Sequence, residues 1–205
     1  RFVNELLKEK ANVKAAVCGF NFRFGKMGLG DSDTLRELMG DGGCIIVPPV
    51  YRDGRLVSST AIRLFISAGE MDKAADMLGR PFFIDFPVVH GKQLGRTIGI
   101  PTINQNFPEG HIIPKSGIYA CTVDIGGDIF LGVSNVGTRP TIKNDGHVIN
   151  CETHIINYNG WLYGKDIKVS FHKRLRDEMK FPDIDSLKAQ IGRDIVSTKE
   201  YFSDK

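Results

Sequence analysis

The chain has 205 residues, 41% of them hydrophobic, enough to bury one good core and a smaller second one. Its 27 basic and 24 acidic residues leave a formal charge of +3, too slight to argue for nucleic acid and well suited to small anionic substrates. No apolar run approaches the roughly 20 residues needed to span a membrane, and the four scattered cysteines, with no C-x-x-C pair, read as free buried thiols of a reducing compartment.

The first element in chain order is an amphipathic helix at residues 1–7, where Phe2, Val3, Leu6 and Leu7 fall at helical spacing. Residues 13–18 form a short apolar strand, residues 33–39 a helix, and residues 44–50 a second buried strand ending at Pro48-Pro49. Ser58-Ser59-Thr60 then caps a helix beginning near Ala61. A short helix over residues 70–78 is stopped by Gly79 and Pro81. Strand–helix alternation of this kind predicts a parallel α/β sheet, with a domain boundary near Gly79 that divides the chain into residues 1–78 and 79–205.

Beyond Pro81 the pattern changes to short strands and turns. Residues 83–90 read as one strand, and Tyr119, Cys121, Val123 and Ile125 alternate along the next. Gly126-Gly127 turns that strand into residues 128–136, a hairpin signal. Strands at residues 151–158 and 165–171 flank Asn159-Gly160, which suggests a second tight turn. Several short antiparallel strands predict a small closed barrel. A helix from about Ile184 follows, and its stripe of Ile184, Leu187, Ile191 and Ile195 is expected to pack against the barrel.

Two stretches carry chemistry. In Gly91-Lys92-Gln93-Leu94-Gly95-Arg96-Thr97-Ile98-Gly99, the glycines let backbone N–H groups approach an anion, and Lys92 and Arg96 add positive charge. Thr102 and Asn104 follow, two apart on an extended segment, so they point the same way and offer neutral oxygens of the kind Mg²⁺ accepts. Taken alone, the string is equally a glycine-rich turn with a satisfied threonine. In the second stretch, alternation sends Cys151, Thr153 and Ile155 to one face and Glu152, His154 and Ile156 to the other. A glutamate in a half-buried strand needs a partner or a task, unless it faces solvent.

Several motifs in register resemble the riboflavin kinase module: Leu78-Gly79-Arg80-Pro81, the Gly91–Asn104 string, Gly117-Ile118-Tyr119, Asn135-Val136-Gly137-Thr138-Arg139-Pro140-Thr141, Glu152-Thr153-His154-Ile155, Tyr163-Gly164 and Leu175-Arg176-Asp177-Glu178. Upstream, Gly19-Phe20-Asn21-Phe22-Arg23-Phe24-Gly25 and Ser58-Ser59-Thr60-Ala61-Ile62-Arg63 resemble the other half of the bacterial bifunctional enzyme, FMN adenylyltransferase. The resemblance implies a Rossmann-like α/β remnant of a nucleotidyltransferase domain, followed by an all-β, closed antiparallel Greek-key barrel with a C-terminal helix.

The implied reaction is transfer of the ATP γ-phosphate to the ribityl 5′-hydroxyl of riboflavin, giving FMN and ADP. The resemblance gives Glu152 the role of base, Thr102 and Asn104 the Mg²⁺, and Gly91, Lys92, Gly95, Arg96 and Gly99 the phosphates. Leu175 and Arg176 fall on the flavin side, and His154 is expected to be a structural hydrogen-bonding residue. Asn21, Arg23, Ser58, Ser59, Thr60 and Arg63 match the adenylyltransferase nucleotide site. That half-site lacks the family's His-x-Gly-His loop, since the first histidine is His90, and the chain opens at Arg1. The expectation is therefore a carboxyl-terminal piece of a longer, cytoplasmic enzyme that makes FMN and then FAD. The alternative is a flavin- or nucleotide-binding barrel without catalysis. The run His172-Lys173-Arg174-Leu175-Arg176 is offset by Asp177 and Glu178, so neither nucleic acid nor membrane is an expected partner, and the sequence leaves the oligomeric state open.

Overall fold

The computed structural model describes residues 1–91, 94–140 and 147–203 and divides into two compact units, Arg1–Val57 and Ser58–Lys205. The first unit opens with a π-helix, Phe2–Lys10, in which the N–H of Ala11 reaches the carbonyl of Leu6 at 2.9 Å. The wider turn buries Val3 and leaves Leu6 about half exposed. There follow β1 (Ala16–Gly19), β2 (Arg23–Phe24), β3 (Gly30–Asp31), α1 (Ser32–Met39), β4 (Cys44–Val47), β5 (Tyr51–Arg52) and β6 (Arg55–Leu56). Strands β1 and β4 pair in parallel, Ala16 opposite Cys44, as strand–helix alternation predicts. Asp31 caps α1 by accepting the Thr34 N–H at 2.8 Å, and Val3, Cys18 and Leu35 form the small core.

The second unit begins with α2 (Ser59–Ala68) and α3 (Met71–Leu78). Then come β7 (Phe82–Pro87), α4 (Leu94–Thr97), β8 (Thr102–Asn106), β9 (Gly117–Ile125), β10 (Asp128–Pro140), β11 (His147–Ile155), β12 (Asp166–Arg176) and α5 (Ile184–Ser203). Helices α2 and α3 belong with the strands because Ile66, Met71 and Ala74 are buried in the same core as Ile84, Tyr119 and Phe171. The compact unit thus starts about twenty residues before the boundary drawn from the Gly79-Arg80-Pro81 punctuation.

The six strands form one antiparallel sheet in the order β7-β12-β9-β10-β11-β8. The sheet curls until its two edges are joined by a bridge, where the N–H of Val89 donates to the carbonyl of Asn104 at 2.8 Å. Tyr119, Val123, Val136, Cys151, Val169 and Phe171 are completely buried on the enclosed face. Gln105 spans that interior, and its Nε2 donates to the carbonyls of Phe86 and Ile167 at 2.6 and 2.7 Å, tying the β8 edge to β7 and β12. The hydroxyls of Ser134 and Thr153 satisfy each other at 2.8 Å.

The Gly126-Gly127 hairpin forms, both glycines taking positive φ (65° and 97°) as a tight turn between right-twisted strands requires. The second expected turn does not. Strand β11 pairs with β10 and β8, whereas β12 pairs with β7 and β9, so Asn159-Gly160 joins strands that are not neighbours. The left-handed positions in that connection are Asn157 and Gly164 instead. All four cysteines are free, and among the described residues no helix is long and apolar enough to cross a membrane.

Candidate active site

Residues directly opposite one another in an antiparallel ladder project to the same face. The registers pair Asn104 with Glu152, Glu152 with Asn135, Asn135 with Ile118, and Ile118 with Arg176. One row therefore crosses five strands, on the face opposite the enclosed core. Four of its members, Glu152, Asn135, Ile118 and Arg176, line a cavity of about 250 Å³ closed on its far side by Leu187 and Ile191 of α5. The alternation expected at residues 151–156 holds, since Cys151, Thr153 and Ile155 are buried while Glu152 and His154 border the cavity.

The polar end of the row is tightly organised. Asn150, two residues before Glu152 and so on the same face, donates from Nδ2 to Glu152 Oε1 at 3.2 Å and to Asn104 Oδ1 at 3.3 Å. Gly91 lies directly on Asn104, where a Cβ would fall 2.6–2.7 Å from the amide atoms, so only glycine allows this approach. Thr102 borders the cavity beside Asn104, and the His154 Nδ1–H donates to the carbonyl of Pro101 at 2.9 Å. Among the described residues no three His, Cys, Asp or Glu side chains cluster as a metal cage. The Thr102 hydroxyl, Asn104 amide and Glu152 carboxylate are hard oxygens and few in number, which fits Mg²⁺ shared with substrate phosphates.

Beyond that end the wall carries Ile98, Ile100, Ile118, Val133, Leu187 and Ile191, with the charged Arg176, Glu178 and Asp194 at its far side. Leu175 packs with Ile118, Val133 and Ile156. At the far end of the row Arg176 makes a two-pronged ion pair with Asp194 of α5, at 2.9 and 2.6 Å, and Gln190 adds a third bond to the same carboxylate. Asn135 stands between the polar and apolar halves. Its Oδ1 is buried with no hydrogen-bond partner among the described residues, a state that costs on the order of 1–3 kcal/mol.

A second cavity, of about 500 Å³, lies on the other side of Thr102, which borders both. Its walls include Val88, Tyr158, Trp161 and Tyr163, with His90 stacked on Tyr163 at a ring separation of 4.0 Å. Cys151 is no nucleophile for either cavity, because complete burial pushes its thiol up to about 11.

Of the residues singled out from the sequence, Glu152, Thr102, Asn104, Gly91, Gly95 and Arg176 come together around the first cavity or its polar rim. The expected phosphate loop contains a helical turn, α4, in which Gly95 packs against the carbonyl of Ile100. Gly99 is exposed with a φ of 78°. Lys92 and the side chain of Arg96 lie outside the described residues. In the first unit Asn21 is exposed and Arg23 pairs with Asp31 at 3.6 Å. In the second, the Ser58 hydroxyl caps α2 by accepting the Ala61 N–H at 3.2 Å, while Ser59, Thr60 and Arg63 are exposed. The stripe on α5 proves divided: Ile195 packs on the sheet, Leu187 and Ile191 face the cavity, and Ile184 at the helix start is about half exposed. Asn135 opens one of the motifs that resemble the riboflavin kinase module but was given no role from the sequence, and Asp194 had no signal beyond a polar residue inside an apolar pattern.

The chain is similar to several bifunctional riboflavin kinases/FMN adenylyltransferases. The bifunctional riboflavin kinase/FMN adenylyltransferase of Bacillus subtilis is 36% identical over 195 residues, 94% of this chain and 62% of that protein. That of Escherichia coli is 38% identical over 204 residues, 98% of this chain and 64% of that protein, so the chain spans under two thirds of these relatives. A crystal structure described as a macrolide-efflux protein from Streptococcus pneumoniae superposes with a TM-score of 0.79 at 34% identity, over 88% of this chain and 58% of that one. The FAD synthetase family model matches residues 1–61. The riboflavin kinase model matches residues 78–202, more than half of the sequence, and the chain belongs to the riboflavin kinase family.

Proposed function

We propose that the chain is a riboflavin kinase, transferring the γ-phosphate of ATP to the ribityl 5′-hydroxyl of riboflavin to give FMN and ADP. The observation that carries this reading is the graded wall of the first cavity, with carboxylate and amides at one end of the row, Ile118, Val133, Leu187 and Ile191 beyond them, and the Arg176–Asp194 ion pair at the far end. Riboflavin has the same grading, a terminal hydroxyl on a polyol joined to a flat, largely apolar ring. Two strand spacings, about 10 Å, separate Glu152 from Ile118, room for the polyol between them.

In this reading the ring lies between Ile118, Val133 and the Leu187–Ile191 face of α5, with Leu175 and Arg176 behind it. Glu152 accepts the proton of the 5′-hydroxyl and aims the oxygen at the phosphate. Thr102 and Asn104 would hold Mg²⁺, which neutralises phosphate charge when bound. Gly91, Gly95, Gly99, Lys92 and Arg96 belong to the phosphate side. The nucleotide base and sugar occupy the aromatic-walled second cavity, so that the phosphates pass Thr102, the wall both cavities share.

The finer fold reading belongs to the same proposal. The Val89–Asn104 bridge supports a closed Greek-key barrel, and the parallel β1–β4 pair with the match over residues 1–61 supports a nucleotidyltransferase remnant. A longer protein carrying this chain would adenylylate FMN to FAD, with Asn21, Arg23, Ser58, Ser59, Thr60 and Arg63 on its nucleotide side and small molecules as its partners.

The test is to incubate the purified chain with riboflavin and MgATP and separate the flavins by chromatography. FMN supports the proposal, and FAD adds adenylyl transfer to it. Riboflavin that binds tightly and is recovered unchanged overturns it in favour of a binding module.

A further inference from the structure

We propose that Asn135 reads the polyol: its amide holds an inner hydroxyl of the ribityl chain and makes that hydroxyl a requirement for the substrate. The inference deepens the riboflavin kinase reading and rests on it. Three observations combine. Asn135 lines the cavity. It sits in register between Glu152 and Ile118, between the place of the reacting hydroxyl and the place of the ring. Its Oδ1 is buried without a donor among the described residues, although buried amide oxygens are nearly always satisfied.

Other polar groups on these strands find partners, although Gln105 Oε1 inside the barrel shares the lack. Asn150 satisfies Asn104 and Glu152, Ser134 pairs with Thr153, and His154 is engaged by the Pro101 carbonyl. What Asn135 requires is a donor brought in from the cavity. A hydroxyl supplies one and also accepts from the amide Nδ2, so a polyol matches both ends of the side chain. A purely apolar linker would leave the acceptor buried and unmet, and a site built this way rejects analogues that lack the hydroxyl. Because the strand register places Asn135 one strand from Glu152, the hydroxyl it holds is an inner one, not the terminal hydroxyl that reacts.

The experiment compares riboflavin with its 2′-, 3′- and 4′-deoxy analogues as substrates of wild type, Asn135→Ala and Asn135→Leu, with melting temperatures as a check on folding. Wild type is expected to lose about tenfold or more in kcat/KM on one of the three analogues. In Asn135→Ala that difference collapses to within about threefold, with most of the change in KM. Asn135→Leu, close in volume, gives the same collapse if the smaller side chain unfolds the protein. Wild type indifferent to all three deletions overturns the proposal without any variant, as does a variant that keeps the full discrimination. If wild type forms no FMN at all, the kinase reading fails separately. The same series read as dissociation constants, by quenching of flavin fluorescence, then decides the role of Asn135.

Discussion

Asn104 and Glu152 stand directly opposite each other on β8 and β11, and a single side-chain amide, that of Asn150, donates to both. The oxygens proposed to meet metal and substrate are thus oriented together by one buried group. Asn150→Ala removes that shared donor while leaving the cavity wall intact. Loss of such a supporting partner typically lowers metal affinity or activity 10- to 100-fold. The expected result is a rate reduced by about that factor and a higher Mg²⁺ requirement, with flavin binding retained, measured as FMN formation across a Mg²⁺ titration.

Gly91→Ala places a methyl 2.6–2.7 Å from the Asn104 amide, which is itself buried at 5% exposure and must be displaced to make room. Overpacking of this kind costs about 1–3 kcal/mol of stability. Denaturant unfolding should show that loss. FMN formation should fall more steeply than stability, because the displaced side chain is the proposed metal ligand.

Asp194 is 4% exposed and neutralises Arg176 where α5 crosses the end of the cavity. Asp194→Ala leaves a largely buried guanidinium unpaired, a change that costs about 3–5 kcal/mol in comparable pairs. A lower melting temperature and weaker riboflavin binding are expected together, since the same contact holds Leu187 and Ile191 over the cavity.

Acid should loosen the helix starts. The Thr34 backbone and hydroxyl donors hold the Asp31 carboxyl below its ordinary value, and the Ser186 backbone N–H, at 2.7 Å, does the same for Asp183 at the start of α5. A carboxyl whose value is lowered by folding binds protons less readily when folded, so its stabilisation is present above the ordinary carboxylate range. It is lost as pH falls through the lowered value. Melting temperatures from pH 6 down to pH 3 should therefore fall less steeply in Asp31→Ala and Asp183→Ala than in wild type.

Local features of this fold were legible in the sequence. The alternation through Cys151 and Glu152, the Gly126-Gly127 hairpin and the Ser58 cap depend on neighbours a few residues away, which spacing records. Register is a long-range property, and spacing is silent on it. Nothing near Asn135 tells that it faces Glu152 across a ladder, and nothing in Asn159-Gly160 tells that the strands on either side pair elsewhere. The α5 stripe failed as a guide for a related reason, because an apolar face reads alike whether it meets side chains or borders a cavity. Asp194 was missed because its partner, Arg176, lies on a different element 18 residues earlier.

The central claim is that Glu152 activates the hydroxyl at the polar end of a flavin cavity. Its most direct test is the kcat of Glu152→Gln beside the affinity of that variant for riboflavin. The account predicts a fall in kcat of roughly 10²- to 10⁴-fold with riboflavin affinity little changed, because the amide keeps the shape and loses only the base. A variant that forms FMN at the wild-type rate would contradict it.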